Sequence, residues 1–174
     1  MQLSGDQLPT LGHHRAPTGG EYFSSLIGGA PAGLAGQSDS SAYAGLDLNL
    51  AQFASSTFTG SSFSATTFKQ AGWTACQFVG CAFTACDFSS ISITGCTFTN
   101  CTFAQSQFQN SRFSGCKFNR CQWNGLTFDH SHWSSVDVLD CTGTGIQADG
   151  LSGEHVDFTG SFFEQSEMRN TQIN

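Results

Sequence analysis

From Phe53 to Ile173 every fifth residue falls on one register, and the large side chains of the chain gather on it: Phe53, Phe58, Phe63, Phe68, Trp73, Phe78 and onward. Fifteen of the 17 phenylalanines and all three tryptophans lie there. A second register two residues earlier runs Ala51, Ser56, Ser61, Thr66, Ala71, Cys76 and on to Thr171, with small or aliphatic residues throughout and every cysteine. A period of five suits neither ordinary element. On an α-helix successive positions would advance about 140° and spread phenylalanine around the cylinder. On a long strand they would alternate between faces. Two inward registers separated by one outward residue are, however, strand alternation, and the remaining two residues must turn the chain. Gly60, Gly80, Gly95, Asn100, Asn110, Gly115 and Gly125 stand two after the centres, where a positive φ or a tight corner is easiest. A chain that bends the same way every five residues, with its bulk inside, winds into a solenoid.

Ala75 to Phe88 (A-C-Q-F-V-G-C-A-F-T-A-C-D-F) and Asn100 to Phe108 (N-C-T-F-A-Q-S-Q-F) resemble the pentapeptide-repeat family, whose pattern is roughly A-[DN]-[LF]-x-x. The resemblance implies an all-β fold, a right-handed quadrilateral parallel β-helix with four pentapeptides in each coil. The centres from Phe53 then make about six coils, and a rod roughly 30 Å tall at the ordinary strand spacing. The four-sided closure rests on the resemblance, since periodicity alone allows other polygons.

Charged residues are only 11% of the chain, and Ser, Thr, Gln and Asn supply the polar surface instead. Stacked like charges on a repetitive rod would repel, so uncharged ladders are the expected exterior. No run of 18 apolar residues is present. The eight cysteines invite a disulfide reading. Spaced 20 apart they form columns, Cys76-Cys96-Cys116 and Cys81-Cys101-Cys121-Cys141, with parallel side chains at about 4.8 Å, whereas a disulfide wants Cβ atoms at about 3.8 Å and converging. They serve as small hydrophobes, and free buried thiols point to a reducing compartment, most simply the bacterial cytoplasm. No cofactor or metal is expected. His130 and His132, beside Asp129, read as surface residues.

Residues 1–40, rich in Gly, Ser, Pro and Ala, read as a flexible arm or an N-terminal cap, and residues 41–174 as the β-helix. Leu46 and Leu48 already occupy the inward registers. Late in the chain the centres shrink to Gly143, Ala148 and Gly153, while Cys141, Ile146 and Leu151 fill the register two residues earlier. Continuity through a narrowed coil is the favoured reading. A loop from about Asp140 to His155 is the alternative.

No catalytic constellation stands out, and the chain reads as a non-enzyme. Charge is distributed unevenly. Between Phe53 and Phe128 one acid, Asp87, faces Lys69, Arg112, Lys117 and Arg120. Asp129, Asp137, Asp140, Asp149, Glu154, Asp157, Glu164 and Glu167 then follow with no Lys or Arg among them. These acids, with the outward aromatic Phe162, are the candidate partner-binding residues. Their plain structural use is to guard the last coils against edge-to-edge pairing. Three functions are compatible: a non-catalytic scaffold for a protein partner, a DNA mimic acting on DNA gyrase as some members of the resembled family do, or an accessory or effector of a bacterial secretion system, for which the arm is the one argument. Direct nucleic-acid or membrane binding is not expected. The terminal coil, with Phe162 beside it, is expected to be covered by a partner or by a second copy in a homodimer.

Overall fold

The computed structural model describes residues 42–174, together with the short strands Gln2–Leu3, Gly33–Leu34 and Gln37–Asp39. All of the described secondary structure is strand and turn. From Gln37 onward each strand pairs in parallel with the strand 20 residues on: Ala82↔Thr102, Thr97↔Lys117 and Ser92↔Arg112 are representative. Five residues per side and 20 per register step give four faces. We name them by their first centres, Tyr43, Leu48, Phe53 and Phe58.

The Tyr43 face stacks seven strands: Ala42–Ala44, Ser62–Ser64, Ala82–Thr84, Thr102–Ala104, Gln122–Asn124, Thr142–Thr144 and Phe162–Glu164. The rod therefore has about seven turns, one more than the six expected. Tyr43 and Leu48 are both buried, so the winding begins ahead of Phe53. Two earlier strands extend it, Gly33–Leu34 onto Gln52–Phe53 and Gln37–Asp39 onto Thr57–Thr59. The arm expected over residues 1–40, and with it the secretion signal, otherwise lies outside the described residues.

Corners repeat without exception. From Gly45 to Asn170 every fifth residue has φ between +47° and +77°, and most of these residues are not glycine. Left-handed backbone costs an ordinary residue about 1–2 kcal/mol. The compensation is visible in the hydrogen bonds: ahead of the last turn, corner N–H groups turn along the rod and donate to the next coil, as in Leu50 to Lys69 O (2.9 Å), Ala75 to Thr94 O (2.9 Å) and Asn100 to Asn119 O (2.9 Å). On the Leu48 face the corner tightens into a β-turn, with Ala71 N–H donating to Phe68 O and Ile91 N–H to Phe88 O.

The interior is a set of ring columns. Phe58, Phe78, Phe98 and Phe118 stack at 5.0, 4.9 and 4.7 Å between centroids, with planes within 6° of one another. Phe68, Phe88, Phe108 and Phe128 stack at 5.2, 4.5 and 5.1 Å, with planes within 14° of one another. Tryptophan keeps its column at Trp73, which stacks on Phe53 with planes 5° apart, and leaves it at Trp133, which stands 84° from Phe113. Trp73, Trp123 and Trp133 each stand nearly perpendicular to the ring one repeat earlier, Phe68, Phe118 and Phe128, at a centroid distance of 5.1 Å. Their indole N–H groups are buried without a conventional acceptor.

All eight cysteines are free and buried. Their thiols donate to backbone carbonyls along the tube, Cys81 to Phe58 O at 3.3 Å and Cys101 to Phe78 O at 3.2 Å. Ser106, on the same register, donates to Ala104 O at 2.9 Å, so hydroxyl and thiol fill one structural role. Burial pushes the Cys86 thiol up to about 11. The hydrogen bond with Cys121, reinforced by burial, pushes Cys101 up to about 12.

The coil from Cys141 to Val156 is continuous. Gln122–Asn124 pairs with Thr142–Thr144, and His132–Leu139 pairs with Ser152–Asp157, both at the 20-residue step. The loop alternative is excluded.

Candidate protein-interaction surface

The tube consumes its aromatic and thiol side chains in packing, so contact chemistry is confined to what the four faces present outward. Each pentapeptide offers three outward positions, the two residues flanking the centre and the corner. The 20-residue register makes a vertical row of each.

Placed on these rows, the acids predicted as one block divide among all four sides. Asp129, Asp149 and Glu167 lie on the Leu48 face; Asp137, Asp157 and the corner residue Asp140 on the Phe58 face; Glu154 on the Phe53 face; and Glu164 on the Tyr43 face. They ring the last coils rather than form one patch.

Several also have structural duties. Asp129 accepts the Asp149 backbone N–H at 2.9 Å, and Asp149 in turn accepts from Asn170 Nδ2 at 2.8 Å. Asn49 makes the equivalent bond to the Lys69 N–H at 2.8 Å, so the row needs a side-chain oxygen there rather than a charge. Asp157 accepts both the hydroxyl and the backbone N–H of Thr159, which together hold its carboxyl below the ordinary value. Asp87 and Ser89 repeat that arrangement earlier in the chain. Glu167 pairs with Arg169 at 2.7 Å, and Glu154 lies 3.7 Å from His132 Nε2. Two pairs of like charges are neighbours in register, Asp137 with Asp157 and Asp129 with Asp149. In the second pair the Asp129 carboxylate is taken up by the Asp149 backbone N–H.

The histidines beside Asp129 do not join it. His132 Nδ1 meets Ser152 Oγ at 2.8 Å, and His130 covers Gly150. Among the described residues no group of three or more His, Cys, Asp or Glu is placed to hold a metal. A shallow recess of about 250 Å³ opens on the Leu48 face, lined by Asp129, Gln147, Ala148, Glu167 and Arg169.

Phe162 stands on the flank of the last coil, in register with Thr142, and is 67% exposed. The sequence reading placed it as an outward aromatic beside the terminal coil, and strand alternation turns it sideways from the wall there. What sequence reasoning missed is the converse feature. From Ala42 onward fifteen residues are Asp, Glu, Lys or Arg, and only Glu164 is on the Tyr43 face. That face shows Ala42, Ala44, Ser62, Ser64, Ala82, Thr84, Thr102 and Ala104 over four coils. Sorting the outward residues modulo 20 was the signal that would have revealed it.

Comparison with known proteins agrees with this architecture. A sequence model of the family described as pentapeptide repeat region matches residues 71–152. No curated protein matches the chain by sequence. Among solved structures, a trypsin-treated form of QnrB1, a plasmid-mediated fluoroquinolone resistance protein, superposes with a TM-score of 0.54 at 14% identity, covering 79% of this chain and 84% of its own. The pentapeptide repeat protein Rfr23 from the cyanobacterium Cyanothece 51142 covers 88% of this chain and 97% of its own at 10% identity, with a TM-score of 0.37 that adds no argument. At such identities the likeness concerns the fold alone. With the five-residue register, the four-faced parallel coil and the matched segment all in place, residues 71–152 are a pentapeptide repeat region, and the described chain winds as one parallel β-helix around it.

Proposed function

We propose that this protein is a non-catalytic scaffold that recognises a protein partner through its outer rows. The observation that supports this most directly is the division of labour across the wall of the tube. The eight thiols, the most reactive nucleophiles of the chain, are buried and bonded to the backbone, several of them with raised pKa values. The side chains left outside stand in flat rows at fixed spacing, which suits recognition over an extended surface more than a pocket suits a small substrate.

A second reading has an observation of its own. Asp137, Asp140, Glu154, Asp157 and Glu164 put carboxylates around the last coils, and a ring of negative charge on a rod is what a DNA-binding groove accepts. On that reading the partner is a type II topoisomerase such as DNA gyrase, and its affinity falls steeply with salt.

One experiment separates the two. Photo-crosslinking residues are introduced singly at Ser92, Thr97, Thr102 and Gln107, one per face, and crosslinked in cells. The scaffold reading expects one defined protein to be captured preferentially from one or two faces. Absence of any defined adduct from all four faces overturns it. With purified gyrase, inhibition that disappears in D137N/D140N/D157N supports mimicry, and no interaction at low salt removes it.

A further inference from the structure

We propose that two copies of this chain associate side by side and antiparallel through their Tyr43 faces, with Phe162 of each copy seated on Ala42 of the other. The inference is separate from the proposed function, since it needs no foreign partner.

Electrostatics selects the face. The chain carries a formal net charge of −7, so two copies repel wherever their charged rows meet. The Tyr43 face carries one charge, Glu164, among seven strands, whereas each of the other faces carries more. Approach through it keeps the acids of the two copies apart and strips water from few ions.

Register then selects the arrangement. A two-fold axis lying between the faces, parallel to the strands and level with Thr102–Ala104, pairs the first strand of one copy with the seventh of the other, the second with the sixth, and so on. Each outward row then faces its own counterpart. Phe162, the most exposed large apolar residue described, meets Ala42, whose side chain is small and exposed. Glu164 meets Ala44 instead of another acid. Thr102 and Ala104 meet their own copies on the axis. The corners that border the face follow suit: Arg120 meets Gly80, and Asp140 meets Gly60. No like charges are opposed. A two-fold parallel to the rod axis, which keeps the rods parallel, would instead reverse the strands and set Phe162 of each copy against Glu164 of the other.

Seven strands at about 4.8 Å, each roughly 10 Å wide, make a footprint of about 300 Å² per copy. Standard interfaces bury about 800 Å² per partner, so the association is weak and rapidly exchanging, with Phe162 as its anchor.

The test is sedimentation of the full chain over a wide concentration range. The wild type is expected to shift from monomer towards dimer as concentration rises. Phe162→Asp and, independently, Ala42→Asp are each expected to weaken the dimer about tenfold or more. The double variant Phe162→Asp with Ala42→Lys is expected to recover it, because each new acid faces a new base in the partner. Thermal melts by circular dichroism check that all variants fold, which exposed positions should permit. A wild type that is monomeric at every concentration overturns the proposal. So does a dimer sensitive to Phe162→Asp but indifferent to Ala42→Asp, since that pattern belongs to an end-on contact.

Discussion

The coils between Phe53 and Phe128 and the coil from Cys141 to Val156 obey the same backbone rules with opposite interiors. In the first region every face carries a large centre, and rings one coil apart stack at about 5 Å with nearly parallel planes. In the second the centres are Gly143, Ala148 and Gly153, and the bulk lies two residues earlier in Ile146 and Leu151, both buried. Rings reach across the gap. Trp123 and Phe163 are two coils apart, yet their centroids are 5.4 Å from each other with planes 28° apart. Trp133 and Phe158 approach to 6.0 Å. The difference teaches that the tube conserves filled volume and not the motif: a missing side chain is replaced from above and below.

Four changes break or sharpen that contrast, taken from the largest expected effect to the smallest. Phe98→Ala in the regular region removes a ring stacked on both sides and is expected to cost about 3–5 kcal/mol, read by chemical denaturation. A loss under about 1 kcal/mol would mean that the columns collapse freely around a cavity.

Gly143→Ala tests the other region. A Cβ there would overlap the Trp123 carbonyl oxygen and lie 3.1 Å from Phe163 Cδ1, so the added methyl is expected to cost about 2–3 kcal/mol. Gly45→Ala is its control. Gly45 has φ +66°, and no atom lies within 4 Å of the place an alanine methyl would take, so only the left-handed backbone penalty of about 1–2 kcal/mol applies. Equal costs at the two sites would show that the crowding at Gly143 is relieved elsewhere.

Alkaline pH addresses the thiols, seven of whose eight members lie in the regular coils. Raised thiol pKa values, about 11 for Cys86 and about 12 for Cys101, mean that the folded state keeps protons which the unfolded state releases from about pH 8.5. The associated stability is fully present below that pH and is lost as pH rises towards 11–12. Cys86→Ser should flatten the decline, because Ser106 already performs the same role in that column. Denaturation midpoints between pH 7 and 10.5 that do not fall would contradict the assignment.

The smallest effect is expected at Asp129. Asp129→Asn keeps an acceptor for the Asp149 N–H, as Asn49 does for Lys69, and should alter stability by less than about 0.5 kcal/mol. Asp129→Leu removes the acceptor and should cost about 1 kcal/mol. If the two variants behave alike, the carboxylate is not a rung of that row.

Much of this was legible in the chain. The two inward registers, the ring columns from Phe58 and Phe68, the small corners and the unpaired cysteines all follow from counting in fives, because each pentapeptide repeats the same local backbone. The candidate site was less legible. Asp129 to Glu167 look like one acidic block along the chain, but 38 residues wind nearly twice around the rod and deal those acids to four sides. Phe162 was recognisable as outward, and the coil decided which residues share its face.

By itself, then, the sequence determined the period, which side chains turn inward and where the backbone bends, since these are properties of neighbours within five residues. Only the tertiary structure decided which residues 20 or 40 apart meet. It set the left-handed conformation of ordinary residues such as Leu50 and Arg120 at corners, the bridging of Gly143 by Trp123 and Phe163, and the one face left almost without charge. Those outcomes depend on how the coils stack, and stacking brings together residues that local sequence keeps apart.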